Sequence, residues 1–104
     1  MIYLHVTFHL EAHDVQRFET FYEKEFLPVI LEHGFVPVGI FKTLVGRAGE
    51  MTEIWKFASL ADYESKWKSL MNDPRLQQIF ETTGPMVKEE NFKLLESVSF
   101  VEAP

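Results

Sequence analysis

Between Ile2 and Leu10 the chain alternates with a period of two, placing Ile2, Leu4, Val6 and Phe8 on one side of an extended strand and Tyr3, His5, Thr7 and His9 on the other. A strand with that alternation has to pair, and the punctuation downstream dictates how. Asp14 is a plausible N-cap for a helix whose apolar positions Val15, Phe18, Tyr22, Phe26 and Val29 advance by three and four, ending at His33 and Gly34. Pro28 lacks the amide that would bond to residue 24, so it should kink or split that helix. Phe35 to Val45 and Met51 to Phe57 read as two strands joined through Gly46-Arg47-Ala48-Gly49. Ser59, with Asp62 three residues on, caps a second helix with an inward stripe of Leu60, Tyr63, Trp67 and Leu70. Asp73-Pro74 starts a shorter helix burying Leu76, Ile79 and Phe80, and the last strand is expected at about Phe92 to Val101.

The resulting β-α-β-β-α-β order implies an α+β, ferredoxin-like fold in one domain, residues 1–104, with a four-stranded antiparallel sheet and both helices on one face. Strands one and three should be central. The other face is left bare, yet the last strand carries apolar residues on both sides, Leu94 with Val98 and Leu95 with Val101. A second copy of the same sheet is the simplest cover, which gives a homodimer joined through the sheet face.

Composition supports this and narrows the function. Hydrophobic residues are 46% of the chain and Phe occurs ten times, enough for one core without staples. Cysteine is absent, which removes disulfides, thiolate nucleophiles and every Cys-ligated metal or cluster site. A formal charge of −6 repels phosphate, and Lys66 and Lys68 are interleaved with acids, so neither nucleic acid nor an anionic membrane is an expected partner. No leader or 18-residue apolar run is seen, and a cytoplasmic location is expected.

Several segments together resemble the NIPSNAP family of the dimeric α+β barrel superfamily. They are Met1-Ile2-Tyr3, the run His33-Gly34-Phe35-Val36-Pro37-Val38-Gly39, Ile54-Trp55-Lys56-Phe57, Asp73-Pro74, and Pro85-Met86-Val87. The resemblance implies a ferredoxin-like subunit whose sheet packs on its twin's to close a barrel. Relatives by fold include cofactor-independent monooxygenases and haem-degrading enzymes, while the family itself implies no general reaction. The chain departs from the family pattern at Leu4 and Val6, where Glu and Arg are common, and at Glu53, where His is common.

His5, His9 and His13 recur every four residues, a zinc-like spacing on a helix but not on a strand. At about 3.3 Å per residue, His5 and His9 lie ~13 Å apart, too far to share one ion with bonds near 2.1 Å. A metal would need ligands from other strands, such as Glu53 or Glu96, and neither a metal site nor a cofactor is expected. His33 is expected to complement the end of the first helix. Gly46-Arg47-Ala48-Gly49 lies between strands and is a turn, not a phosphate cradle. If Tyr3, His5, Thr7 and His9 face the barrel and Glu53, Trp55 and Phe57 join them, the result is a mixed aromatic and polar wall. Its candidate ligand-binding residues are His5, His9, Glu53 and Trp55. Three functions fit: binding of a small, partly aromatic molecule in the barrel or in the cleft between sheet and helices; a cofactor-independent monooxygenase with His5 or His9 as base and Trp55 as platform; or a structural role in which those residues are solid core. A cavity of some 300 Å³ or more separates the first two from the third.

Overall fold

The computed structural model describes residues Met1–Pro104. Ile2–His9 form β1, paired antiparallel with β3 (Glu50–Phe57) on one edge and with β4 (Lys88–Glu96) on the other, and β2 (Val36–Lys42) lies outside β3. The order β2-β3-β1-β4 puts strands one and three at the centre, as the right-handed crossovers require.

Residues opposite one another in an antiparallel pair share a face, so the register assigns every side chain. Leu4 stands opposite Trp55 and Leu94, and Val6 opposite Glu53 and Phe92. This is the face under the helices. His5 stands opposite Ile54 and Lys93, and Thr7 opposite Thr52 and Asn91, on the face that no helix covers.

The first helix differs instructively from its sequence pattern. Asp14 makes no cap bond; it ends a 3₁₀ turn, Ala12–Asp14, that leads straight into α1 (Val15–Phe21). A π turn, Tyr22–Phe26, then separates α1 from α2 (Leu27–Glu32), so that Pro28 falls in the first turn of a new helix, where a missing amide costs nothing. Pro28 thus splits the helix by a local change of winding. Gly34, at φ +84°, ends α2 in the left-handed conformation. His33 does more than meet the helix end: its Nδ1 is 2.7 Å from Ser69 Oγ and its Nε2 is 2.8 Å from Asp73 Oδ2. It ties α2 to the junction of α3 (Leu60–Met71) and α4 (Arg75–Thr83). Bonds from Arg75 and then from His33 hold the Asp73 carboxyl far below the usual range.

Ser59 Oγ accepts from the Asp62 amide at 3.1 Å, and Asp62 returns the favour one residue early, accepting from Ala58 N–H. Asp73 Oδ1 accepts from the Arg75 amide at 2.9 Å, so the Asp-Pro pair starts α4 as its residue types require. Leu60 and Phe80, expected on buried faces, are exposed. The last strand also begins and ends earlier than Phe92 to Val101. Its limits come from its partner: β1 pairs Ile2 with Glu96 and His9 with Lys88, and no β1 residue is left to receive Val98 or Val101. The chain beyond β4 instead brings its end to β1, where the buried Tyr3 donates from its hydroxyl to the Pro104 carbonyl at 2.8 Å.

The β2–β3 turn is held to the end of β1 at Gly49, whose carbonyl accepts from the Leu10 amide. Gly49 has φ +86°, and a Cβ there would stand 2.1 Å from the Leu10 carbonyl oxygen. Gly46 also has positive φ, but its Cβ would meet only Thr43 Cγ2, at 3.2 Å. Both substitutions to Ala carry backbone strain, and Gly49→Ala, with the added clash against the Leu10 carbonyl, should lower unfolding free energy by more than about 1 kcal/mol and by more than Gly46→Ala, as read from urea midpoints.

Candidate functional site

The helix-side face of the sheet is not packed solid. A cavity of about 370 Å³ lies between it and the helices, and 15 of its 19 lining residues are hydrophobic. Leu4, Val6 and Phe8 of β1 and Glu53 and Trp55 of β3 form the floor. Two arcs of aromatic contacts climb from it. One runs Phe8–Phe18–Tyr22–Phe26–Phe80 with centroids 5.3 to 6.0 Å apart. The other runs Trp55–Phe35–Phe57–Tyr63–Trp67–Phe92 with centroids 5.1 to 5.8 Å apart. Both arcs end on exposed residues, Phe80 and Phe92, which with Met71 and Glu90 frame the mouth.

Glu53 is the chemical centre of this space. It is 8% exposed, its Oε1 accepts from Trp55 Nε1 at 3.0 Å, and no cation pairs with it. Burial drives its pKa up, the bonds from Trp55 and from the Tyr22 side pull it back in part, and the charge of Glu90 pushes it up further. Tyr22, at the start of the π turn, carries a buried hydroxyl that feels the Glu53 charge but makes no hydrogen bond of proper geometry. Burial and that carboxyl keep the phenol protonated far above its ordinary range. The result is a carboxyl and a phenol side by side at the bottom of an aromatic pocket. Such a pair can accept and donate hydrogen bonds to one polar group of a ligand, and a carboxyl of raised pKa holds its proton to higher pH than an exposed glutamate does.

The four residues singled out from the sequence do not share a face. Glu53 and Trp55 stand opposite Val6 and Leu4, under the helices, and Phe57 is with them. His5 is half-buried on the open face, and His9, on that same face, is engaged 3.1 Å from the Ala48 carbonyl of the β2–β3 turn. The expected joint wall of histidines, Glu53 and Trp55 is therefore split by the sheet itself. The alternation Met51, Glu53, Trp55, Phe57 against Thr52, Ile54, Lys56 carries the reason: the larger apolar set takes the inner face and brings Glu53 along. Tyr22 reads in sequence as one more apolar helix position, and nothing short of the register reveals that it meets Glu53.

The model of the NIPSNAP family matches residues 3–102. Among solved structures, protein Atu4242 of Agrobacterium tumefaciens is 25% identical, with 96% of each chain covered and a TM-score of 0.88. An uncharacterised NIPSNAP domain protein of Burkholderia xenovorans is 18% identical, covering 99% of this chain and 100% of its own, with a TM-score of 0.90. A candidate antibiotic biosynthesis monooxygenase of Deinococcus radiodurans shares the fold, at 12% identity, 100% and 99% coverage and a TM-score of 0.72. No curated protein matches the chain.

The buried carboxyl has a consequence for pH dependence. A glutamate whose pKa is raised on folding binds its proton more tightly in the native state, so its ionisation costs stability as pH rises from the ordinary glutamate value through the raised one. Glu53→Gln removes that loss while leaving an oxygen for Trp55. Chemical denaturation at pH 5 and pH 8 should show the variant gaining on the parent protein at the higher pH; a constant difference would mean that Glu53 titrates normally.

Proposed function

The chain belongs to the NIPSNAP family, and from that premise we propose that it binds a small, partly aromatic molecule in the cavity between sheet and helices. The observation that carries the reading is the cavity itself, about 370 Å³ of aromatic-lined space whose floor holds a buried carboxyl and an unpaired phenol. Such size and such a lining, apolar with a few convergent polar groups, are those of small-molecule sites. A solid-core role is disfavoured by the same space. The test is a thermal-shift panel of aromatic molecules of neutral, cationic and anionic kinds. A ligand present at a hundred times its Kd should stabilise by about 2.7 kcal/mol, a shift of about 10 °C or more in a domain of this size. Val87→Phe, at the cavity wall, should fold and abolish the shift; a panel that leaves Tm unmoved would sink the proposal.

A catalytic reading has one observation in its favour, the raised pKa of Glu53 in an aromatic pocket. His5 and His9 lie across the sheet from that pocket, so the base of a monooxygenase-type reaction would be Glu53, with Trp55 as the platform. Binding that survives Glu53→Gln while turnover disappears would mark an enzyme.

We propose further that the open face is covered by a second copy of the chain. Ile54 is half-buried at its centre, and Phe41 and Leu95 are exposed on the strands flanking the central pair. The Phe41 ring packs against Gly39, where a Cβ would stand 2.2 Å from its Cζ, so this edge of the face is itself apolar. Two such faces related by a two-fold axis are self-complementary. Sedimentation at micromolar concentration should give twice the chain mass, and Ile54→Lys should return a folded monomer; a monomeric parent protein refutes this part.

A further inference from the structure

We propose that the ligand of the sheet–helix cavity is an organic cation, an amine or other ammonium compound carrying an aromatic or branched aliphatic body. The inference rests on the cavity being a binding site and adds its charge preference. Only four lining residues are not hydrophobic, namely Glu53, Thr83, Gly84 and Glu90. Two of these are carboxylic acids, one at the floor and one at the mouth, and no lysine, arginine or histidine lines the space. An anion entering would meet both acids without a counter-charge. A neutral body would leave the floor carboxylate without a counter-charge, beside only the Trp55 bond and the Tyr22 hydroxyl.

A cation resolves both defects of the floor. Glu53, nine-tenths buried, lacks an ion-pair partner, and the equally buried Tyr22 hydroxyl lies beside it without a hydrogen bond of proper geometry. An ammonium group between them would donate one N–H to the carboxylate and another to the phenol oxygen, a charge-assisted arrangement stronger than neutral hydrogen bonds. The walls favour the same sign. Nine of the lining residues are aromatic, and their ring faces attract a cation that has left water. Glu90 at the entrance and the net charge of −6 on the chain draw cations inward.

The groups around Glu53 are few. Tyr22 faces it from the π turn and Glu90 from β4, while β1 and β2 offer Val6 and Ile40, which carry no charge. Lys42 lies in a shallower recess beyond Glu53 together with Glu19 and Glu23, and it is paired with Glu19 at 3.6 Å. Affinity for an amine should therefore rise with pH as the Glu53 proton leaves, up to the pKa of the amine itself.

Three probes of one shape make the test: tryptamine, its neutral counterpart tryptophol, and the anion indole-3-propionate, titrated calorimetrically at pH 7.5. Tryptamine should bind at least tenfold more tightly than tryptophol, and indole-3-propionate most weakly. Glu53→Gln should weaken tryptamine by roughly 10- to 100-fold and change tryptophol by little, the size expected for one charged hydrogen bond. Tryptophol binding as well as tryptamine would overturn the charge preference and leave the cavity site standing. Failure of all three in the parent protein, or binding that Val87→Phe leaves undiminished, would overturn the site as well.

Discussion

Where Val6 of β1 stands opposite Glu53 of β3, the parity of both strands is settled at once, because every second residue follows. Leu4, Phe8, Met51, Trp55 and Phe57 go beneath the helices, and His5, Thr7, Thr52, Ile54 and Lys56 go to the other side. The cavity, the mouth at Phe92 and the exclusion of the histidines all descend from that pairing. A slip of β3 by one residue against β1 would exchange its share of the floor for Thr52, Ile54 and Lys56.

Glu53 occupies its place at a cost that its neighbours outweigh. Burying a large apolar side chain stabilises by about 1.5–3 kcal/mol, and Met51, Trp55 and Phe57 are all buried on the same parity. A neutralised polar group with a hydrogen bond costs less than any two of them return; an isolated charge would cost more, which is why burial drives the Glu53 pKa upward. The sheet thus carries a carboxyl into an apolar interior because the strand it belongs to is needed there. Its remaining reactivity is stored rather than spent, with Trp55 supplying one donor and Tyr22 standing by.

Much of this fold is legible in residue order alone. Alternation and turn residues identify four strands, Ser59 with Asp62 and Asp73 with Pro74 mark helix starts, and the quoted NIPSNAP-like segments point to the family to which the chain belongs. What escapes is whatever depends on a partner. The ends of β4 are set by the length of β1, and the exposure of Leu60 and Phe80 depends on which helix neighbours arrive. The candidate site was half legible: Glu53 and Trp55 line the pocket, whereas His5 and His9 do not, because facing is a property of register and not of one strand's composition. Tyr22 is concealed for a related reason, since its role depends on a distortion of the helix that carries it.

That distortion, the π turn at Tyr22–Phe26, also solves a problem of phase. Side chains four apart on an α-helix drift about 40° per step, so Phe18, Tyr22, Phe26 and Ile30 would fan around an ideal helix through roughly a third of a circle. The wider π turn takes up one extra residue without advancing the helix, which turns the later pair back, and all four line one wall. The wall is therefore tuned by residue count as well as by residue type. Rewinding this turn as regular α-helix at the same chain length would leave every side chain of α2 chemically unchanged yet rotate that helix by about 100°, taking Val29 and Ile30 off the core and driving the Pro28 ring against the carbonyl of residue 24.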